Sequence, residues 1–416
     1  MIENKDLVII GGGPAGLAAA VAAYDSGVTD VLVIERERRT GGILNQCVHN
    51  GFGLKTFNES LTGPEYAARY ADKVKERGIL VLVDTTVLSL TSDKEITAIN
   101  QDRGVFTIKA KAVILAMGCR ERSRGALGIS GTRPSGIYSA GTAQKYVNEK
   151  GLLPGKDVVI LGSGDIGLIM ARRMTLEGAK VHAVCEIMPY SSGLKRNIKQ
   201  CLEDFEIPLY LSHTITRIDG GDRVTGVEIS KVDQNRVPVK GSEKYFNCDT
   251  VLFSVGLIPE NELTKGAGIE TSMKTNGAIV DQNRQTSIEG VYACGNVLHV
   301  HDLVDYVSQE ALVAGEAAAQ YILGGGRQAN YADCFSGKGV SYVLPQKIDK
   351  NFDGDITLYF RSNNEYKDAV VTVSLGDREI VRVKKRIVTP GEMQTVKIKS
   401  SAFTEEFDKI TVGIEV

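Results

Sequence analysis

The chain contains no pair of neighbouring cysteines. Its seven cysteines, at positions 47, 119, 185, 201, 248, 294 and 334, include no C-x-x-C. A scattered, odd set excludes a zinc ribbon, Fe–S ligation and a disulfide framework. With no signal peptide ahead of it, we expect a cytoplasmic protein whose thiols stay reduced. An excess of charge is also missing. The formal net charge is −2 and the two signs are evenly mixed. That leaves no basic stripe for nucleic acid and no polybasic arm for a membrane surface. One uncharged run, "LVIIGGGPAGLAAAVAAY" at 7–24, reaches the length of a bilayer span. Three successive glycines and Pro14 break its first half, so it reads as strand, turn and helix, and no membrane span is expected.

What is present is a globular composition, 43% hydrophobic and 24% charged over 416 residues, enough for two or three domains. "DLVIIGGG", "VLVIERE" and "AVILAMG" read as buried parallel strands. "PAGLAAAVAAYDSG" and "TGPEYAARYADKVKERG" read as the helices between them, each closed by glycine. The same grammar restarts at "KDVVILGSGDIGLIMARRMTLEGAKVHAVCE", residues 156–186, implying two dinucleotide-binding units. After "LGGGRQAN" at 323–330 the character changes. Ile356, Leu358 and Phe360, then Ile410, Val412 and Ile414, alternate with polar residues, and Gly376-Asp377 makes a hairpin turn. The last 80 or so residues are therefore expected to form a small β-sandwich.

Two glycine fingerprints carry the chemistry. Gly11, Gly13, Pro14, Ala15 and Gly16 follow one strand and open a helix. Gly11 permits a tight turn, Gly13 admits a pyrophosphate, and Gly16 lets helix pack on strand, so the phosphates meet the positive end of that helix. Glu35 ends the next strand, where a carboxylate can bind both ribose hydroxyls of an adenosine. Gly162, Gly164, Asp165, Ile166 and Gly167, closed by Glu186, repeat the arrangement. A carboxylate there repels a ribose 2′-phosphate and favours NAD(H) over NADP(H). Arg172 and Arg173 fall two turns inside the helix and read as surface residues, and "ERERR" beyond Glu35 as a solvated run.

These motifs, with "AVILAMGCRER" at 112–122, "LFSVGLIPEN" at 252–261 and "GVYACGNV" at 290–297, resemble the flavoproteins with two dinucleotide-binding domains. Thioredoxin reductase and glutathione reductase belong to that family, and the segment lengths are most similar to the former. The resemblance implies an α/β fold of two Rossmann-like FAD- and NAD-binding domains, the second inserted in the first, plus the C-terminal β-sandwich. The FAD domain would comprise 1–118 and 247–328, the NAD(H) domain 119–246, and the β-rich domain 331–416. It also implies Gly42, Asn45, Val87, Gly118, Gly295, Asn296 and Gln309 at the FAD, with Gln309 near the pyrimidine edge, and Gly256 at the NAD. The helix carrying Gln309 would turn its N-terminus to the flavin and favour its anionic reduced form. Asn296 departs from the family's aspartate and carries no charge.

The disulfide-type relatives carry two redox cysteines where this chain has Leu44 and His49, and the thioredoxin reductase pair falls where it reads "RPSGIY", 133–138. A dithiol relay needs two sulfurs within bonding distance, so this chain cannot run one alone. Cys47 reads as a packed thiol, a peroxide-reactive thiolate cycling through sulfenate, or a contact for substrate or partner near the flavin. His49 reads as a flavin neighbour or a loop residue. His299, His301 and Asp302 invite a metal reading, but no fourth ligand is evident, so we expect no metal and read them as flavin-pocket or packing residues.

"GGILNQCVHNGFG" and "GNVLHVHDLVD" resemble a narrower bacterial group, encoded with glycerol-3-phosphate dehydrogenase-type partners and akin to subunits of opine oxidase and hydrogen cyanide synthase. That implies an FAD- and NAD(H)-dependent oxidoreductase that serves a partner dehydrogenase as electron-transfer subunit, with a small-molecule or protein acceptor and room for a homo-oligomer. The β-sandwich would be a docking surface or a lid that steadies the flavin domain. The alternatives are a stand-alone NADH oxidase or peroxidase using Cys47, and a redox-sensing protein that binds FAD and NADH but turns over slowly.

Overall fold

Strand β1 (Ile2–Ile10) pairs in parallel with β2 (Val31–Ile34), Leu7 opposite Val31 and Ile10 opposite Ile34. Both are apolar on two faces here because both faces are covered: Leu7, Ile9 and Val33 pack with the helical residues Leu17, Ala18 and Ala311, while Val8, Ile10 and Leu32 pack with Ile96, Ile269 and Leu344. In this computed structural model, residues 2–326, 329–352, 354–403 and 407–415 are described. The domain limit expected at 328 and the chain ends at Met1 and Val416 lie outside the described residues. The sheet runs Leu80–Leu82, β2, β1, Gly104–Leu115, Glu95–Asn100, Thr86–Leu90, with Val291–Ala293 added beside Val113–Leu115. Helix α1 (Pro14–Asp25) follows the first fingerprint, and α2 (Gly63–Glu76) begins on a capping box formed by Thr62 and Glu65.

The chain divides into two compact units, one of residues 1–119 and 259–416 and one of 120–258. In the second, the parallel sheet runs Ile137–Ser139, Thr250–Phe253, Asp157–Leu161, Lys180–Glu186, Leu209–Leu211. Helices α3 (Ala140–Lys150), α4 (Asp165–Leu176) and α5 (Lys195–Cys201) belong to it. A smaller antiparallel sheet of Ser130–Gly131, His213–Gly220, Val224–Lys231 and Lys244–Asn247 completes the unit. The return to the first unit comes later than the expected 247. Thr250–Phe253 is hydrogen-bonded between Ile137–Ser139 and Asp157–Leu161, in the middle of this sheet, and so cannot belong elsewhere.

After the return come α6 (Glu262–Gly266) and the long α7 (Val304–Gly324). α7 lies against α1 at close range, because a Cβ on Gly315 would fall 2.4 Å from Ala19 O. The strands from Tyr331 onward form two facing sheets. One has the order Lys347–Asp349, Tyr331–Ser336, Lys409–Glu415, Tyr366–Leu375, Arg378–Val388; the other is Val340–Leu344, Ile356–Ser362, Gln394–Ile398. Ile356, Leu358 and Phe360 meet Ile410, Val412 and Ile414 in its core, all at most 3% exposed. Gly376-Asp377 joins Leu375 to its partner Arg378. The sandwich belongs to the first unit: Leu344, Tyr359 and Met393 share a core with Val113, Val291 and Leu298.

Candidate active site

In the first unit, a turn, a carboxylate and two distant segments converge at the C-terminal ends of β1 and β2. Gly11 takes φ +111°, and a Cβ on Gly16 would fall 1.8 Å from Gly11 O. Gly13, at the N-cap of α1, offers no capping side chain, so the first N–H groups of that helix stay available for an anion. The nearest atom to a Cβ built there is Gly42 Cα, at 4.0 Å, which leaves room on that side of the backbone. Glu35 is buried; its Oε2 accepts from Gly12 N at 2.7 Å and its Oε1 from Glu37 N at 2.8 Å. Each oxygen keeps a lone pair for a ribose hydroxyl. Thr85 N donates to Glu35 O, which lays the segment leading to Val87 alongside. Gly41 N donates to Gly12 O, and Asn45 closes the same turn onto Thr40 O. Gly295 packs so tightly that a Cβ there would meet Ala15 Cβ at 2.8 Å. Gly118 O accepts from Glu260 N at the chain crossing.

Beneath Gly295 lies a cluster that the sequence pattern did not bring together. Glu310, fully buried on α7, accepts from Gly295 N at 2.9 Å and Arg284 Nε at 3.0 Å, and lies 3.1 Å from His299 Nε2 and 3.4 Å from His301 Nε2. Burial alone would disfavour its charge, but His299, His301 and Arg284 outweigh it and hold the carboxyl well below its usual range. Asp302 is not part of the group. Its carboxylate pairs with Arg361 and accepts from Met393 N, so the trio read from sequence is corrected to His299, His301 and Glu310. Arg361 also donates to Val300 O, and Tyr342 and Tyr359 stand edge-on to His299. The β-sandwich therefore grips residues 299–302. The available cue for Glu310 was its i+3 spacing from buried Val307, on the apolar stripe of α7.

Cys47 follows a short turn, Gly42–Gln46, and its Sγ lies 3.4 Å from Ile43 O. None of the seven cysteines is joined in a disulfide. Burial of the sulfur pushes the Cys47 thiol up to about 12. His49 stacks at a tilt on Phe52, ring centroids 5.0 Å apart. The loop beyond is held by Asp305, whose carboxylate accepts from the N–H groups of Gly53, Lys55 and Thr56 at 3.2, 3.2 and 2.8 Å. Asp305 sits in the first turn of α7, so its charge offsets the positive helix end expected to serve the flavin. Gln309 is solvent-exposed, while Val307 and Glu310 are the α7 residues that face Gly295.

The second unit repeats the first site's design. Gly162 takes φ +101° and its N–H donates to Cys185 O. Glu186 Oε2 accepts from Ser163 N at 3.0 Å and Ser163 Oγ at 2.7 Å, and Oε1 from Met188 N. Gly164 caps α4 ahead of Ile166 and Gly167. Asp165 turns elsewhere: it accepts from Leu194 N and Asn197 Nδ2 and so holds the 191–194 loop and the first turn of α5 over the fingerprint. Gly256 O accepts from Arg122 N. Arg172 is exposed and Arg173 pairs with Glu177, as surface residues do.

Two glycine loops, each backed by a buried carboxylate, are what two dinucleotides require. The family model of the pyridine nucleotide-disulphide oxidoreductases matches residues 5–318. The chain belongs to that family. It is an oxidoreductase that binds FAD and uses a pyridine nucleotide. Thioredoxin reductase of Mycolicibacterium smegmatis is 27% identical over 313 residues, 74% of this chain and 91% of that one. An opine oxidase subunit of Agrobacterium tumefaciens is 26% identical over 337 residues, 76% of this chain but 64% of that one. The crystal structure of T. acidophilum thioredoxin reductase superimposes with a TM-score of 0.64 at 26% identity, covering 77% of this chain and 99% of that one. Among the described residues, no helix of this family member is long and apolar enough to cross a membrane.

Proposed function

We propose that this oxidoreductase exchanges electrons between NAD(H) and a partner dehydrogenase acting on glycerol 3-phosphate or a similar 2-hydroxy compound, in the cytoplasm. The observation that carries the reading is the state of Cys47. It forms no disulfide, and desolvation raises its thiol above the ordinary range, which disfavours the thiolate at neutral pH. Electrons must then leave by a route that uses no sulfur relay. The similarity to an opine oxidase subunit supports a partner protein as that route. The chemistry that FAD and NAD(H) supply when bound is hydride exchange between nicotinamide and flavin.

The chain's own residues bind and orient. Gly13, Ala15 and Gly16 present backbone N–H groups to the FAD pyrophosphate, Gly11 and Pro14 shape the turn that exposes them, and Glu35 takes the ribose hydroxyls. Gly42, Asn45, Val87, Gly118, Gly295 and Asn296 complete that site. Gly162, Gly164, Ile166, Gly167 and Gly256 serve NAD(H). The Glu186 carboxylate, already anchored by Ser163, disfavours a 2′-phosphate in the same place.

Reconstitution tests the proposal. The isolated chain should contain flavin that NADH reduces in the absence of any thiol or disulfide. It should oxidise NADH slowly in air, and link substrate oxidation to NAD only when the co-purifying dehydrogenase is added. Fast turnover by the isolated chain with oxygen or peroxide, lost in Cys47→Ser, would replace this reading with a stand-alone oxidase.

A further inference from the structure

One residue fixes the flavin-side turn from below. His301 N donates to Asn296 Oδ1 at 3.0 Å, and His301 Nδ1 lies 3.2 Å from the same oxygen. A backbone N–H can only donate, so the side-chain amide must present its oxygen there. An amide oxygen can only accept, so Nδ1 must carry a proton. The amide NH2 is thereby turned to the other side, toward Cys119 Sγ at 3.7 Å.

The other ring nitrogen takes no part in this contact. His301 Nε2 is buried without a hydrogen-bond partner, 3.4 Å from Glu310 Oε2. Burial, His299, Arg284 and Arg361 push the imidazole below its ordinary range, opposed by Glu310. A divalent cation between His299, His301 and Glu310 would also satisfy Nε2. It would stand beside the Arg284 guanidinium, which already balances the Glu310 charge, and the buried site would then be strongly positive.

We infer that His301 is a positioning residue that sets the polarity of Asn296, so that this position meets FAD as a hydrogen-bond donor. The family's aspartate, when ionised, can only accept. The ligand atoms that suit Asn296 are accordingly oxygens with free lone pairs, those of the pyrophosphate or the ribitol chain, and no negative charge stands beside them. The inference rests on the proposed placement of FAD at Gly295–Asn296.

The test uses the full chain and measures FAD affinity by equilibrium dialysis, with histidine ¹⁵N spectra beside it. Asn296→Asp should weaken FAD binding more than tenfold. His301→Leu should weaken it severalfold, and His301→Gln, which restores a donor, should recover most of the loss. In the unmodified chain, the His301 signal, assigned by its absence in His301→Gln, should show a proton on Nδ1 from pH 6 to 8. Affinity in Asn296→Asp equal to or tighter than the unmodified chain would overturn the inference. So would a His301 protonated on Nε2 alone in the unmodified chain, a measurement that needs no variant to bind FAD. Failure of the unmodified chain to bind FAD at all would instead overturn the cofactor placement on which the inference rests.

Discussion

If Cys47 is held as a thiol, it should be close to inert toward electrophiles, and the size of the effect follows from its surroundings. Burial raises the group from an ordinary 9.0 to about 12. Each pKa unit above the solution pH lowers the thiolate fraction tenfold, and the thiolate is the reactive form. At pH 7.5 the folded chain should therefore hold about a thousandfold less Cys47 thiolate than the same chain unfolded. The assay is iodoacetamide labelling over time, read peptide by peptide by mass spectrometry, in buffer and in guanidinium. Cys47 should label about a thousandfold more slowly in buffer, within the limit set by local opening. Labelling within tenfold of the unfolded rate would refute the argument. It would return Cys47 to the list of redox groups and remove the main support for an external electron acceptor.

Asp305→Ala should remove the shared acceptor of three backbone N–H groups and cost about 3–5 kcal/mol in denaturant unfolding. Limited proteolysis should then cut first between residues 50 and 60. Gly167→Ala would place a Cβ 2.4 Å from Gly162 O; NADH affinity should fall more than tenfold while bound FAD is retained, measured by titration and by flavin absorbance. Asp281 is buried, and desolvation raises its carboxyl from 3.8 to about 6 despite N–H donors from Asn283 and Gln285. The stability it contributes is present below about pH 4 and is lost as pH rises through about 6, because the folded state binds the extra proton. Asp281→Asn should remove that slope and be the more stable form at pH 7 by about 3 kcal/mol at most, measured by urea unfolding at pH 4, 5, 6 and 7.

What could be read in advance was what local pattern governs. The two βαβ units declare themselves because Gly11, Gly16, Gly162 and Gly167 each stand where a side chain would strike backbone. The sandwich declares itself because alternate residues of Ile356–Ser362 and Lys409–Glu415 face one core. What could not be read depends on partners far off in sequence. Glu310 looks like any acid in an alanine-rich helix until Arg284, His299 and His301 surround it. Asp302 sits beside the histidines in sequence, yet Arg361, 59 residues on, takes its charge away. The apolar run Thr250–Phe253 could close either unit, and only pairing with Asp157–Leu161 decides which. Asp165 lies inside a fingerprint but answers to Leu194 and Asn197.

The grip of the β-sandwich on residues 299–302 bears on how chimaeras of such chains can be made. The end of α7, at Gly324–Gly326, looks like the natural place to join one chain's reductase core to another's C-terminal domain. A junction there parts Arg361 from Asp302 and Tyr342 from His299, and strands a carboxylate under an unmatched surface. A junction placed ahead of Val280 keeps Arg284 with Glu310 and transfers the turn, its histidines and the domain that holds them as one inherited block.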